Sequence, residues 1–391
     1  MASLLLAIIY LAFISLGLPD SLLGAAWPEM HRELEVSISA MGIISMLISS
    51  GTIISSLFVD KLLSKFSTAA VVIASIGLTS VGLIGFSFAP WFWVLCLFAI
   101  PYGLGAGAID AALNNYVALH YNSRHMSWLH CFWGVGAVIS PYIMSYALGT
   151  EHGWPHGYRI VGFIQIFIIA VMVATLPVWK RAGHTSRQIG EDDEVKVESR
   201  GIIGSLKIKG VGLVLLGFFA YCAAEATVML WASSYFYEAK NADAELAAAL
   251  GSLFFIGMTV GRFLAGFISD KIGDKNMIRY GLLLSFVGIV MIAIPAPLGV
   301  SIFGFVLVGL GFAPVYPSII HSTPANFGKE NSQSIIGIQM ASAYVGATFM
   351  PPLFGVVASL ASIELMPFYM LVFAVLCFVM MELLNKQVEE K

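Results

Sequence analysis

Two carboxylates occupy positions where carboxylates are costly. Asp110 lies near the middle of the apolar run from Trp91 to Leu119, and Asp20 lies inside the first hydrophobic segment of a chain with only 11% charged residues. An ionised carboxylate at membrane depth costs at least about 2.5 kcal/mol on insertion scales, so such a residue normally faces a partner, a cavity or a proton path. A carboxyl group out of water is also harder to ionise, which suits a group that loads and releases a proton. Asp110 is the preferred proton carrier, and Asp20 either binds substrate hydroxyls or titrates as a second acid. The plainer alternative for each is a structural acid satisfied by backbone or Ser groups. Glu225, which follows Asp20 by 205 residues, is a third candidate that binds substrate, joins the proton coupling or pairs with Arg262.

Polar and aromatic groups near these acids extend the constellation. Asn114 follows Asp110 by four residues and shares its helix face. The small residues Gly103, Gly105, Ala106, Gly107 and Ala108 just before them permit close backbone approach. His130 and Trp133 are one helical turn apart, and an imidazole beside an indole suits a ring with polar edges and apolar faces, such as a pyranose. Asn115, Tyr316 and Gln339 are further candidates for substrate contact, each equally suited to a bond between helices; Tyr221, one turn before Glu225, and Trp231, which could stack on a substrate ring, complete the set. Trp27, Trp91, Trp93, Trp128 and Trp154 fall nearer predicted span ends and are expected to anchor at the membrane interface. Cys96, Cys131, Cys222 and Cys377 have no close Cys or His at metal-ligand spacing and read as packing thiols. With no catalytic triad or phosphate loop either, the expectation is a non-enzyme with no metal or cofactor.

The elements that carry these residues are membrane helices. The chain is 59% hydrophobic with a mean hydropathy of +0.88, and a span needs about 20 largely apolar residues. Twelve candidate spans result, near 3–27, 38–60, 68–89, 91–119, 125–148, 157–179, 208–236, 244–268, 276–295, 298–322, 332–360 and 364–385. The fold class is an all-α membrane protein, and its solvent is the lipid bilayer. With both termini cytoplasmic, the outside loops carry only Arg32, Arg159 and Lys240, Arg262 sits within a helix, and the other Lys and Arg residues fall inside. No basic segment precedes the first apolar run, so no cleaved signal peptide is expected. The net charge of −3 comes without a basic, aromatic-studded patch, which argues against nucleic acid as a partner.

The chain also repeats itself. Gly51 with Asp60-Lys61 recurs 210 residues later as Gly261 with Asp270-Lys271. Gly103-Leu104-Gly105 recurs as Gly309-Leu310-Gly311, and Gly136-Ala137 with Pro141 recurs as Gly346-Ala347 with Pro351. A polar run around Glu191-Asp192-Asp193-Glu194 divides the spans six and six. The expected organisation is an N-terminal six-helix bundle over 1–179, a cytoplasmic linker over 180–207 and a C-terminal six-helix bundle over 208–391. Parallel repeats of this kind mark transporters whose two bundles rock around a site at the bilayer midplane. Asp60-Lys61 and Asp270-Lys271 enter short cytoplasmic loops, where charges can tie helix ends together and release them, a gating motif. A solvated loop without a gating role is the alternative.

This pattern resembles the major facilitator superfamily, whose loop between its second and third helices carries Gly-x-x-x-Asp-Arg/Lys-x-Gly-Arg/Lys-Arg/Lys. The first copy, Phe58-Val59-Asp60-Lys61, lacks the leading Gly, whereas Gly266-Phe267-Ile268-Ser269-Asp270-Lys271-Ile272-Gly273 keeps most of the core. Within the superfamily the chain looks like the fucose/proton symporter group and its hexose-transporting relatives. That likeness rests on Leu18-Pro19-Asp20-Ser21-Leu22-Leu23 and on Gly105-Ala106-Gly107-Ala108-Ile109-Asp110-Ala111-Ala112-Leu113-Asn114, which hold the two proton-linked acids of the relatives. In the fifth helix the group has Gln and Asn three apart; His130 and Trp133 stand there in this chain, a departure that bears on which sugar is recognised.

The resemblance implies proton-coupled uptake of a monosaccharide, a hexose or deoxyhexose, by alternating access, with substrate held between the bundles at mid-membrane. The expected location is the plasma (inner) membrane, and the absence of an extramembrane domain suggests a monomer. Two other transport readings stay open. One is proton-coupled export of hydrophobic or cationic compounds. The other is sodium-coupled sugar uptake, with Asp20 and Glu225 as oxygen ligands. A transport-like sensor would be expected to carry a soluble signalling extension.

Overall fold

Hydropathy alone dictates helices that satisfy their own backbone groups within lipid, and the computed structural model of the chain is built of them. It describes residues 2–63, 65–120, 123–179 and 206–389. Among these, twelve helices are long and apolar enough to cross a membrane: α1 Leu4–Glu33, α2 Ile38–Ser56, α3 Thr68–Ser87, α4 Phe92–Asn114, α5 Trp128–Leu148, α6 Gly153–Ala174, α7 Val211–Lys240, α8 Ala244–Ser269, α9 Asp274–Ala293, α10 Leu298–Phe327, α11 Ile338–Leu360 and α12 Ile363–Val388. All twelve expected spans are met. The expected linker falls almost wholly on residues 180–205, which lie outside the described residues.

The described chain forms two compact units. One holds residues up to 179 together with 236–252, and the other holds 206–235 together with 253–389. In the first unit α1 crosses α5 backbone against backbone, because a Cβ on Gly17 would fall on the Trp133 carbonyl oxygen and one on Gly136 on the Ile14 carbonyl oxygen. Gly103 brings α4 onto the Ile48 carbonyl of α2, Gly51 faces Leu104 from the other side, and Gly105 brings α4 onto the Ser75 carbonyl of α3. The second unit makes the same crossings with the repeated glycines. Gly346 of α11 meets the Phe219 carbonyl of α7, Gly309 of α10 meets the Phe254 carbonyl of α8, Gly261 faces Leu310, and Gly311 meets the Gly281 carbonyl of α9. Without a hydrophobic force to drive helices together in lipid, such close approach supplies the packing. The glycine pairs matched by sequence thus occupy matching joints.

The aromatic side chains divide unlike the expectation. Trp91 and Trp93 are 70% and 72% exposed, as interface anchors are. Trp27 and Trp154 are instead 0% and 1% exposed. The Trp27 indole donates to the Ile38 carbonyl at 2.8 Å and that of Trp154 to Glu33 Oε2 at 2.5 Å, so both tie helix ends to each other inside the protein. Span depth places a Trp near an interface; the helix face it occupies decides whether it meets lipid.

Candidate functional site

The first unit gathers its polar side chains around a break in α1. Pro19 offers no N–H to the helix; regular helix stops at Asp20 and begins again at Leu22. At this break the Asp20 carboxylate accepts the Trp133 indole N–H at 2.7 Å. The Gly17 and Gly136 crossing makes that bond possible, since it brings the backbones of α1 and α5 together one turn away. His130, one turn before Trp133, stands perpendicular to the Phe13 ring with centroids 5.7 Å apart.

Asp110 and Asn114 share the face that their spacing requires, with Asn114 Nδ2 donating to Asp110 Oδ1 at 2.8 Å. Both acids are partly buried, and Asp110 stands close enough for Asp20 to feel its charge. The helix α4 that carries Asp110 is wedged between α2 and α3 at Gly103, Gly107 and Gly105. The outcome is two carboxyl groups, one bonded to an indole and within reach of the other's charge, the other bonded to an amide. Such a pair can exchange protons with whatever solute or water reaches it, and it can hold hydroxyl groups as an acceptor.

The second unit holds a different cluster. Arg262 Nη2 donates to Glu225 Oε1 at 3.3 Å, and both side chains are mostly buried, at 17% and 14% exposure. Tyr221, one turn before Glu225, donates its hydroxyl to the Phe312 carbonyl at 3.0 Å. That carbonyl borders the interruption of α10 at Ala313-Pro314. Tyr316 donates to Met340 Sδ at 3.2 Å and packs against Phe218. Gln339 is wholly buried; its Oε1 accepts from Thr323 at 3.1 Å, while its Nε2 has no partner among the described residues. Trp231 is fully buried and donates to the Pro351 carbonyl at 2.9 Å, so it joins α7 to α11.

Of the sequence-derived candidates, the fold therefore joins Asp20 to Trp133, Asp110 to Asn114 and Glu225 to Arg262. The side chains of Asn115, Asp60, Lys61 and Asp270 lie outside the described residues. Lys271 is exposed in the last turn of its helix, where a cation complements the helix dipole. Gly273, the last residue of the second motif copy, has φ +79°, a conformation that favours glycine.

Tyr102 and Gln165 were not singled out in the sequence, and Ser21 stood there only as part of the Leu18 to Leu23 segment. Tyr102 of α4 lies within electrostatic reach of Asp20 and is 3% exposed. Gln165 of α6 donates to the Ser15 carbonyl at 2.5 Å, and Ser21 donates to the Ala137 carbonyl at 2.8 Å. Gln165 carried a signal, being a lone amide in the apolar run Phe163 to Val171.

A family model described as Major Facilitator Superfamily matches residues 9–243 and 213–390. The "Bypass of stop codon protein 6" of Saccharomyces cerevisiae is 24% identical over 400 residues, covering 95% of this chain and 79% of that protein. The glucose/mannose transporter GlcP of Bacillus subtilis is 20% identical over 350 residues, covering 88% and 86% respectively. The crystal structure of a D-xylose-proton symporter superposes with a TM-score of 0.74 at 13% identity, over 97% of this chain and 96% of that one. At that identity the likeness is one of fold. With a family match over most of its length and twelve membrane helices to bear it, the chain belongs to the Major Facilitator Superfamily, as a multi-pass transporter and not an enzyme.

Proposed function

We propose that the protein carries out proton-coupled symport of a monosaccharide, a hexose or deoxyhexose, by alternating access. The observation that carries the reading is the bond from the Trp133 indole to the Asp20 carboxylate, with Asp110 in electrostatic contact. It connects an aromatic platform suited to a sugar ring directly with an acid that senses a second acid. Asp110, bonded to Asn114, is the proton carrier. Asp20 is the residue through which sugar occupancy reaches it, with His130, Trp133, Asn114 and Asn115 on the sugar. In the second unit, Glu225 is assigned to proton coupling or substrate binding, and Tyr221, Trp231, Tyr316 and Gln339 to substrate binding. The sugar named for the Bacillus subtilis relative and the proton named for the xylose symporter support the same assignment.

One proton driven inward by ~100 mV supplies ~2.3 kcal/mol, which is a solute gradient of about fortyfold. A single coupled proton therefore suffices for concentrative uptake. The remaining assignments follow from the same reading: two six-helix bundles over 1–179 and 208–391, and Asp60, Lys61, Asp270 and Lys271 as a cytoplasmic gating motif. They extend to both termini in the cytoplasm and a monomer in the plasma membrane.

The test is reconstitution in liposomes with a pH dye inside, followed by addition of D-glucose, D-mannose, D-xylose, L-fucose and a disaccharide. A monosaccharide should acidify the lumen, and Asp110→Asn should abolish the signal while the variant still folds. Silence toward every sugar would remove the sugar from the reading. A response that requires Na⁺ and ignores pH would replace the proton with sodium.

A further inference from the structure

We infer that Ser21 and Gln165 are positioning residues for Asp20, each capping a main-chain carbonyl that a proline has deprived of its helical donor. In an α-helix the N–H of residue i bonds the carbonyl of residue i−4, and proline has no N–H to give. Pro19 lies inside the helical part of α1, so the carbonyl it leaves open is that of Ser15. That carbonyl receives the Gln165 Nε2 donor from α6 at 2.5 Å. Pro141 lies inside α5, so the carbonyl it leaves open is that of Ala137. That one receives the Ser21 hydroxyl at 2.8 Å.

Two proline gaps on two helices are thus filled from neighbouring helices, one at Ser15, five residues before Asp20 in the chain, and the other by Ser21, next to it. Asp20 lies between Pro19 and the capping Ser21. On α5, Trp133 and Ala137 are four residues apart and share a face, so Asp20 and Ser21 grip successive turns of one helix, the first as acceptor and the second as donor. Burial makes an open carbonyl expensive, and Gln165 is 1% exposed with its Oε1 lacking a partner among the described residues. An amide is kept in apolar surroundings here at some cost for what its other end does. At the matching place in the second half Ala226 follows Glu225 where Ser21 follows Asp20, and alanine has no hydroxyl to donate. The arrangement accordingly distinguishes the half that carries the two interacting Asp residues. Its effect is to set the break in α1, and so the direction in which the Asp20 carboxylate meets Trp133.

An ordinary hydrogen bond between helices would involve Gln165 without reference to Pro19, and a mutant cycle separates the two. The full chain is purified as wild type, Gln165→Leu, Pro19→Ala and the double variant, with a second set of Ser21→Ala, Pro141→Ala and their double. Melting is measured in detergent micelles. Gln165→Leu should lower the melting temperature, and most of that loss should disappear when Pro19→Ala supplies the missing N–H; the second set should behave alike. An equal loss with and without the proline would overturn the capping role. This arm needs no substrate, so it stands if the proposed symport fails.

The positioning role rests on the symport reading and has its own readout, the pH profile of proton uptake triggered by D-glucose, D-mannose or D-xylose in liposomes. Gln165→Leu and Ser21→Ala should slow uptake on the order of tenfold and displace the profile. In the Gln165→Leu/Pro19→Ala protein the melting temperature should return while the profile stays displaced, because the break itself is altered. A profile that coincides with wild type in the single variants would reduce both residues to structural bonds.

Discussion

Gly136→Ala tests whether the contact between α1 and α5 is the mechanical basis of the Asp20 site. The new Cβ would fall on the Ile14 carbonyl oxygen and 2.9 Å from the Leu18 amide nitrogen. Both neighbours are backbone, so no rotamer change relieves the clash, and the helices must part by about 1 Å to restore ordinary van der Waals separation. The Trp133 to Asp20 bond starts at 2.7 Å. The same displacement would stretch it to roughly 3.7 Å, past hydrogen-bond range. Overpacking costs about 1–3 kcal/mol, and the lost indole bond adds about 1 kcal/mol or more. A displacement of 1 Å in a positioned site can cost on the order of a hundredfold in rate. Gly212→Ala is the control, since nothing lies within 4 Å of a Cβ at that exposed helix position. Melting in micelles and sugar-triggered proton influx in liposomes would be read on both variants. Equal melting temperatures and equal influx would refute the argument, because α1 and α5 would then adapt without consequence.

Three further substitutions separate binding from architecture. Trp231→Phe removes the donor to the buried Pro351 carbonyl and should destabilise by about 1–3 kcal/mol; an unchanged melting temperature would show that this bond between α7 and α11 adds nothing to stability. Arg262→Ala should cost about 3–5 kcal/mol by stranding Glu225, and Arg262→Ala/Glu225→Gln should recover much of it, as urea or thermal unfolding would reveal; a double variant worse than the single would refute the pairing. Gly273→Ala places a side chain at φ +79° with open space around it, so conformation alone should cost about 1–2 kcal/mol; an unchanged melting temperature would show that the turn relaxes freely.

The membrane spans were legible because length and apolarity decide them almost alone. Asp20 and Asp110 were legible for the related reason that hydrocarbon makes an acid conspicuous. The Asp110 and Asn114 bond follows from helical spacing, and the Glu225 and Arg262 pair was one of the alternatives that charge in an apolar helix permits. What could not be read was direction across helices. Trp27 and Trp154 sit at span ends as interface residues do, yet face inward to Ile38 and Glu33. Tyr102 and Gln165 acquire their meaning from which face of α1 they meet, and that depends on how α4 and α6 approach it. Local periodicity contains no such term.

The glycine joints have a consequence for descent. Gly51, Gly103 and Gly136, with Gly309 and Gly346, bring main chain against main chain, and main chain is chemically the same at every residue. A joint of that sort is blind to the side chains around it. Residues between joints can therefore be rewritten without disturbing the frame, as the two halves themselves record: Trp133 is answered by Ala343 at the offset that relates Gly136 to Gly346, and Asp20-Ser21 by Glu225-Ala226. A lineage built on such joints can change its cargo by ordinary substitution and inherit its mechanics intact.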